Sequence, residues 1–259
     1  MKHSNTFSTD IITSERYVSP SLTRFGEVIR PIPLFGIQML IYNQIWQALL
    51  DGKLRPGTKL PEGQIGSIFR VSRTVVRKVL IVLEQEGIVT LPRNRGAYVS
   101  EASPAMVTSV FEIKKLFSCH IAKQLAGPDR QISLKDRERL EQHWQAQETA
   151  STSYNLKAIR RLGLEFPVLL ATIYGNNYFT TMLDQTMSSV ILTMMFDRKQ
   201  LLDWPVRALQ RAVLNEMFSD KPVQAANAMN EYLDRLESSI LIGSSENGSD
   251  LKAILSEGL

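Results

Sequence analysis

Residues 71–80 read VSRTVVRKVL, and this decapeptide restricts the fold around it more than any other stretch. Ser72 suits a helix N-cap, because its hydroxyl can accept a hydrogen bond from an N–H of the first turn. Arg73 and Arg77 stand four apart and share one helix face. Val76, Leu80 and Leu83 follow the i, i+4, i+7 rule and share the opposite face, which can be buried. A helix with two guanidiniums on one side and an apolar anchor on the other suits the major groove of a duplex. Arginine can fork there onto guanine O6 and N7, or clamp a phosphate.

The flanking segments predict how that helix is held. Residues 34–50 have helical apolar spacing and stop at Asp51-Gly52, and LRPGTKL reads as a turn carrying Pro56 and Gly57. A short helix over 62–69, a tight turn at Arg70-Val71 and a helix over 72–86 ending on Gly87 follow. IVTL, PRNRG and AYVS read as a two-stranded hairpin, with Asn94 and Gly96 favouring the turn and Arg93 and Arg95 at its tip. Three helices and a hairpin in this order predict a winged helix-turn-helix over 34–100. Residues 1–33 are polar and Ser/Thr-rich and read as a flexible arm. Its Arg16, Arg24 and Arg30 can touch phosphates, although a solvated tail is the simpler account.

After a linker at 101–106, only helical patterns follow, over 104–126, 132–148, 154–174, 177–200, 204–219 and 221–242. The breaks carry Gly127-Pro128, Gly175-Asn176 and Trp204-Pro205. The fold class is therefore mainly α: a winged helix-turn-helix, then an all-α bundle of about six helices over 101–243. Residues 244–259 read as a flexible tail.

Charge separates the two parts. Residues 1–100 hold 13 Lys/Arg against 7 Asp/Glu, and residues 101–259 hold 17 against 19. Positive potential on the first part alone points to a polyanion as its partner. No run of about 18 apolar residues is present, so no membrane span is expected. The first residues lack an apolar secretory core, and one cysteine cannot form an intrachain disulfide, so a cytoplasmic location is expected. Cys119 lies in an apolar helical pattern and reads as a small buried hydrophobe. No GxSxG, P-loop or zinc-finger cysteine pair occurs, and no enzyme chemistry is expected. Met182, Met187, Met194 and Met195 read as core or dimer surface, His143 as a surface or boundary histidine, and Arg160-Arg161 as a solvated face.

Residues 52–99 resemble the GntR family of transcription regulators. They carry Gly52-x-Leu54-x-Pro56-Gly57, then VSRTxVRxxL, Leu83 and Glu86-Gly87, then Pro92, Arg95-Gly96 and Val99. The resemblance implies DNA contacts from Ser72, Arg73, Thr74, Arg77 and Lys78 on the recognition helix. It implies further contacts from Arg93, Asn94, Arg95 and Gly96 on the wing. The chain departs from the family pattern at Gly63, where an arginine is common, at Val75, where proline is usual, and at Lys78, where glutamate is usual. Val75 can meet a thymine methyl and Lys78 adds charge, so the operator is expected to differ from those of relatives.

The helical remainder, with ATIYGNN at 171–177 and SDKPVQAANAMNEYL at 219–233, resembles the FCD effector-binding domain of the FadR-like subfamily. Many such domains hold a divalent metal through one Asp and three His. The matching positions here are Gly163, Pro167, Gln210 and Tyr232. No donor of the required type remains, so no metal or other cofactor is expected. A pocket is still expected, in which Gln210 and Tyr232 can hydrogen-bond a ligand and Lys114 can hold an anion as a point charge. Tyr174 and Asn177 are further candidates, and each of these side chains can equally be bundle filling. The combined expectation is a ligand-responsive regulator, a repressor, binding a near-palindromic double-stranded DNA operator as a homodimer. Its small-molecule effector is not specified by the sequence. A bundle serving only to dimerise, or an enzyme domain fused to a DNA-binding head, are the alternatives.

Overall fold

A computed structural model of the chain describes residues 19–23, 32–101, 103–194, 206–240 and 255. It contains a helical turn, α1 (Pro20–Thr23), ahead of the head. The head comprises α2 (Ile37–Leu50), α3 (Glu62–Phe69), α4 (Arg73–Gln85), β1 (Val89–Thr90) and β2 (Tyr98–Val99). The winged helix-turn-helix order read from the sequence is the order observed. α2 is apolar on most of its surface, and Ile41, Tyr42, Ile45, Trp46 and Leu49 are all fully buried. It forms the floor on which α4 lies. α4 is amphipathic, and Val76, Val79, Leu80, Val82 and Leu83 face the core. Gly87 (φ 74) closes the helix: its N–H bonds to the Glu84 carbonyl at 2.8 Å and that of Ile88 to Leu83 at 2.9 Å. Both bonds belong to a Schellman ending, which requires the left-handed conformation glycine adopts without strain.

The tight turn between α3 and α4 depends on Gly66. A Cβ there would stand 2.8 Å from the backbone oxygen of Val71, so no side chain fits without moving the chain. The turn also places Arg70 in the left-handed region (φ 54). Behind α4, β1 and β2 pair antiparallel, Val89 opposite Val99 and Thr90 opposite Tyr98. The segment read only as a turn from LRPGTKL contributes a third edge. Leu60 N–H donates to Ala97 at 2.8 Å and Val99 N–H to Thr58 at 2.9 Å. One buried carboxylate joins the layers. Glu86 (4% exposed) accepts from the Tyr42 hydroxyl at 2.9 and 3.1 Å and from Trp46 Nε1 at 3.3 Å.

The bundle comprises α5 (Pro104–Leu125), α6 (Leu134–Thr152), α7 (Leu156–Tyr174), α8 (Asn177–Met194), α9 (Val206–Phe218) and α10 (Pro222–Ile240). Side-chain caps start three of them: Ser103 Oγ accepts from Met106 N–H, Ser133 Oγ from Asp136 N–H and Asn155 Oδ1 from Ala158 N–H. α5 lies centrally against α7, α8, α9 and α10. Lys115 joins it to α10 through Asp234 and through Glu237 at 2.6 Å. Arg211 joins α9 to α6 through Glu141 at 2.7 Å.

Within the expected flexible arm, the described residues 19–23 dock on the bundle. Ser21 Oγ donates to the Arg139 carbonyl at 2.7 Å, and the Arg139 guanidinium returns bonds to the Ser21 carbonyl at 3.1 and 3.3 Å. Ser19 N–H donates to Glu165 at 2.9 Å, and Leu22 is buried. This departs from the flexible reading, because reciprocal bonds and an apolar anchor outweigh the entropy of so short a segment. Arg16, Arg24, Arg30 and all of the predicted tail except the buried Leu255 lie outside the described residues.

Replacing Glu86 by alanine leaves two buried donors without their acceptor. We expect the head to lose about 3 kcal/mol of stability. Urea unfolding monitored by Trp46 fluorescence measures this. A change below about 0.5 kcal/mol, the range of ordinary surface substitutions, would remove Glu86 from this role.

Candidate nucleic-acid interface and bundle interior

α4 turns its first two turns outward. Ser72, Arg73, Thr74, Arg77 and Lys78 are all exposed. Ser72 holds the N-cap position (φ −71, ψ 155), yet its hydroxyl does not cap. The Val75 N–H, which a capping hydroxyl would take, already donates to the Ser72 carbonyl at 3.0 Å. The expected side-chain cap is therefore not formed, and the hydroxyl stays at the surface. The Arg73 guanidinium lies over Gly63, its nitrogens 3.2 and 3.3 Å from where a Cβ on that residue would be. Glycine where an arginine is common in the resembled family thus leaves room for Arg73. Arg77 Nη1 stands 3.5 Å from Glu62, but the guanidinium is 67% exposed and the pair is weakly held.

Pro61, Glu62, Gly63, Gln64, Ser67, Arg73, Arg77 and Gly96 line one open groove of ≈ 720 Å³. It joins the start of α3, the start of α4 and the wing. Asn94 (φ 62) and Gly96 (φ 85) turn the wing tip, where Arg93, Asn94 and Arg95 are exposed. Thr74, Lys78, Arg93, Asn94 and Arg95 border this surface without lining the groove. Pro61, Glu62, Gln64 and Ser67 are groove residues the sequence reading did not single out. Gln64 and Ser67 are exposed, three apart on α3. The burial of Ile65 and Phe69 on the other side of that helix is the signal that could have found them. Lys59 also stands behind the wing, its Nζ 6.0 Å from the centre of the Tyr98 ring.

In the bundle, the positions of the resembled metal site form one hydrogen-bonded unit. Pro167 lies inside α7 and has no N–H, so the carbonyl four residues earlier, Gly163, lacks its helical donor. The Tyr232 hydroxyl of α10 donates to that carbonyl. Gln210 Nε2 donates to the same hydroxyl at 3.4 Å. Burial pushes the Tyr232 hydroxyl pKa upward, so it stays a phenol. A neutral phenol already donating to a carbonyl is a poor ligand, and this donor set does not fit a divalent cation. Among the described residues no three His, Cys, Asp or Glu side chains gather elsewhere to hold a metal.

Lys114 is fully buried and donates to Thr186 Oγ1 at 3.1 Å. Burial lowers its pKa to about 8, against an opposing pull from Asp184. Tyr174 and Asn177 do not join this interior. Asn177 is exposed at the start of α8, and Tyr174 is half-buried at the end of α7, stacked on Phe179 with Arg130 4.0 Å above its ring. Gly175 (φ 79) reverses the chain between them, which carries both to the bundle's end. Two further readings are corrected. His143 is fully buried and stacks on Phe166, and Arg161 is buried, because α6 and α7 turn these positions into the bundle. Of the methionines, Met187 is buried, Met182 is exposed, and Met195 lies outside the described residues. Cys119 is half-buried, and its thiol pKa is raised to about 11, chiefly by burial.

Residues 38–99 match the family model of bacterial regulatory proteins, gntR family. The head is a gntR-family domain. It is similar to the HTH-type transcriptional repressor RspR of Escherichia coli strain K12, 30% identical over 95 residues. That alignment covers 37% of this chain and 42% of RspR, so the chain spans under half the length of that curated relative. The HTH-type transcriptional regulator LutR of Bacillus subtilis strain 168 is 26% identical over 213 residues, 72% of this chain and 93% of LutR. A solved GntR transcriptional regulator from Rhodococcus sp. RHA1 superposes with a TM-score of 0.69 at 18% identity. It covers 79% of this chain and 97% of its own, which shows that the gntR-type head and helical bundle are combined there in the same fold. Among the described residues no helix is long and apolar enough to cross a membrane.

The unit joining α7 to α10 has a measurable consequence. Tyr232→Phe keeps the ring packed on Phe166 but orphans the Gly163 carbonyl. We expect a loss of about 1–3 kcal/mol, read by thermal unfolding of the full chain. A variant as stable as the parent would mean that Pro167 leaves no carbonyl in need of Tyr232.

Proposed function

We propose that the chain is a ligand-responsive transcriptional repressor that binds a near-palindromic DNA operator as a homodimer. The observation carrying the reading is the pair Arg73 and Arg77, exposed on the first two turns of α4, in one groove with the wing glycine Gly96. A convex helix edge flanked by a basic wing tip suits the major groove and the adjacent backbone. Arg77 exchanges its weak bond to Glu62 for a base edge or a phosphate. Ser72, Thr74 and Lys78 border the same helix edge, and Arg93, Asn94 and Arg95 reach the backbone beside it.

The dimer part of the reading is supported by α5. Its outer face exposes Ile113 and Leu116 (70% exposed), apolar surface that a second copy would cover. Two-fold symmetry of the protein is then matched by two-fold symmetry in the operator. Repression is carried over from RspR, a transcriptional repressor. A second reading has one observation in its favour. The Gly163–Tyr232–Gln210 unit fills the family's metal positions with internal hydrogen bonds, as a bundle that only dimerises would. The enzyme alternative has no such support.

Fluorescence anisotropy with a duplex from the chain's own locus tests the interface. Arg73→Ala and Arg77→Ala should each lose about 1–3 kcal/mol of binding, with a salt dependence shallower by about one where a phosphate contact is removed. Unchanged binding by both variants would exclude α4 as the reading helix.

A further inference from the structure

The segment ahead of the head is seated on the bundle by its main chain. Ser19 and Ser21 are fully buried, and Leu22 is buried beside them. Arg139 of α6 points its guanidinium at the Ser21 carbonyl, through Nη2 at 3.1 Å and Nε at 3.3 Å. The Arg139 carbonyl accepts in turn from the Ser21 hydroxyl at 2.7 Å. Glu165 of α7 accepts from the Ser19 N–H at 2.9 Å. Inside the segment, Ser19 Oγ accepts from the Ser21 N–H at 3.2 Å and the Ser19 carbonyl from the Leu22 N–H at 3.0 Å. These two bonds hold the turn in the shape that α6 and α7 receive.

The seat is built from charges that are expensive to bury. A guanidinium or a carboxylate removed from water is costly unless it is well hydrogen-bonded. Arg139 and Glu165 lie on different helices, are both buried, and both take the arm's main chain as a partner. Asp136 pairs with Arg139 Nη1 at 3.2 Å and so turns Nε and Nη2 towards the arm. A cation meeting a carbonyl and a carboxylate meeting an N–H are charge-assisted bonds, the stronger class. They also give the seat a direction. An N–H is received at α7 and a carbonyl at α6, which a reversed segment would not satisfy.

The consequence is topological. The seated residues end at Thr23, and the described chain resumes at Ile32, just ahead of α2. Nine residue steps separate the two, a reach of at most about 30 Å. At its other end the head runs from β2 straight into α5. The head is therefore joined to the bundle at both ends, and α2 meets α8 between them. A body joined at one end can swivel about its link. A body joined at two must release one of them to do so.

We propose that the α6–α7 face is an interaction surface for the chain's own residues 19–22, and that seating them there holds the DNA-binding head in one orientation against the bundle. The inference rests on the regulator reading above and assigns the arm a positioning role in it. A head already oriented gives up less freedom when the two heads of a dimer meet their half-sites, so the seated arm tightens binding without touching DNA.

The test compares three proteins: the parent, a chain lacking residues 1–23, and a chain with twenty Gly/Ser residues inserted after Thr23. The insertion keeps the seat and lengthens only the link, so it separates tethering from packing. Thermal unfolding reads the seat. The deletion should melt below the parent, and the insertion should melt with it. Fluorescence anisotropy with a duplex from the chain's own locus reads the tether. Both altered chains should bind about tenfold more weakly than the parent. An insertion that binds as tightly as the parent would overturn the proposal, as would tighter binding by either altered chain, which would make the seat inhibitory. So would a deletion that melts with the parent, or an insertion that melts as low as the deletion, because the seat would then not stand on its own contacts. In each case, parent binding that is lost in Arg73→Ala leaves the regulator reading standing and this inference alone fallen. A parent that binds no duplex brings down that reading and the tether with it, while the melting comparison still reads the seat.

Discussion

The Glu86 carboxylate, buried at the end of α4, accepts hydrogen bonds from Tyr42 and Trp46 of α2. Apolar contacts between α2 and α4 supply most of the cohesion, but they are non-directional and tolerate sliding or rotation. Two donors converging on one carboxylate do not. They fix the azimuth of α4 and with it the side on which Arg73 and Arg77 emerge. Gly66 acts at the opposite end, letting the Val71 carbonyl pass within a distance that any Cβ would block. Between them the recognition helix is set in rotation and in height, and the wing is fixed by its third edge at Thr58–Leu60.

In the bundle, three departures from the resembled metal pattern make one physical change. Proline at 167 removes a helical donor, glycine at 163 carries the carbonyl thereby exposed, and tyrosine at 232 supplies a donor from α10. Each alone would be unfavourable, and together they are self-consistent. The core keeps a cross-link between α7 and α10 at the place where a cation would have provided one.

Much of the head was legible because its signals are local. Gly87 as a helix end, the periodicity of Val76, Leu80 and Leu83, and the turn at Asn94–Gly96 all act over a few residues, and each is found in place. What was not legible depends on distant partners. The pairing of Thr58–Leu60 with the wing lies some forty positions along the chain, and nothing in LRPGTKL announces it. Ser72 reads as a capping residue from its type alone, but the short bond from Val75 to its own carbonyl displaces its hydroxyl. His143 sits in a charged stretch, LEQHWQAQ, and reads as surface. Its burial follows from α7 and α9 covering one face of α6, which no single-helix pattern reveals. Tyr174 and Asn177 are placed by a distant feature in the same way, since the turn at Gly175 sets them at the end of α7 and the start of α8.

The most direct test of the central claim is hydrogen–deuterium exchange on the full chain, with and without a duplex from its own locus at low ionic strength. The account predicts slowed exchange in residues 61–67, 72–78 and 92–97, the groove and the wing, with the backbone of α2 unchanged. Protection confined to the bundle helices, or no protection from any duplex, would contradict it.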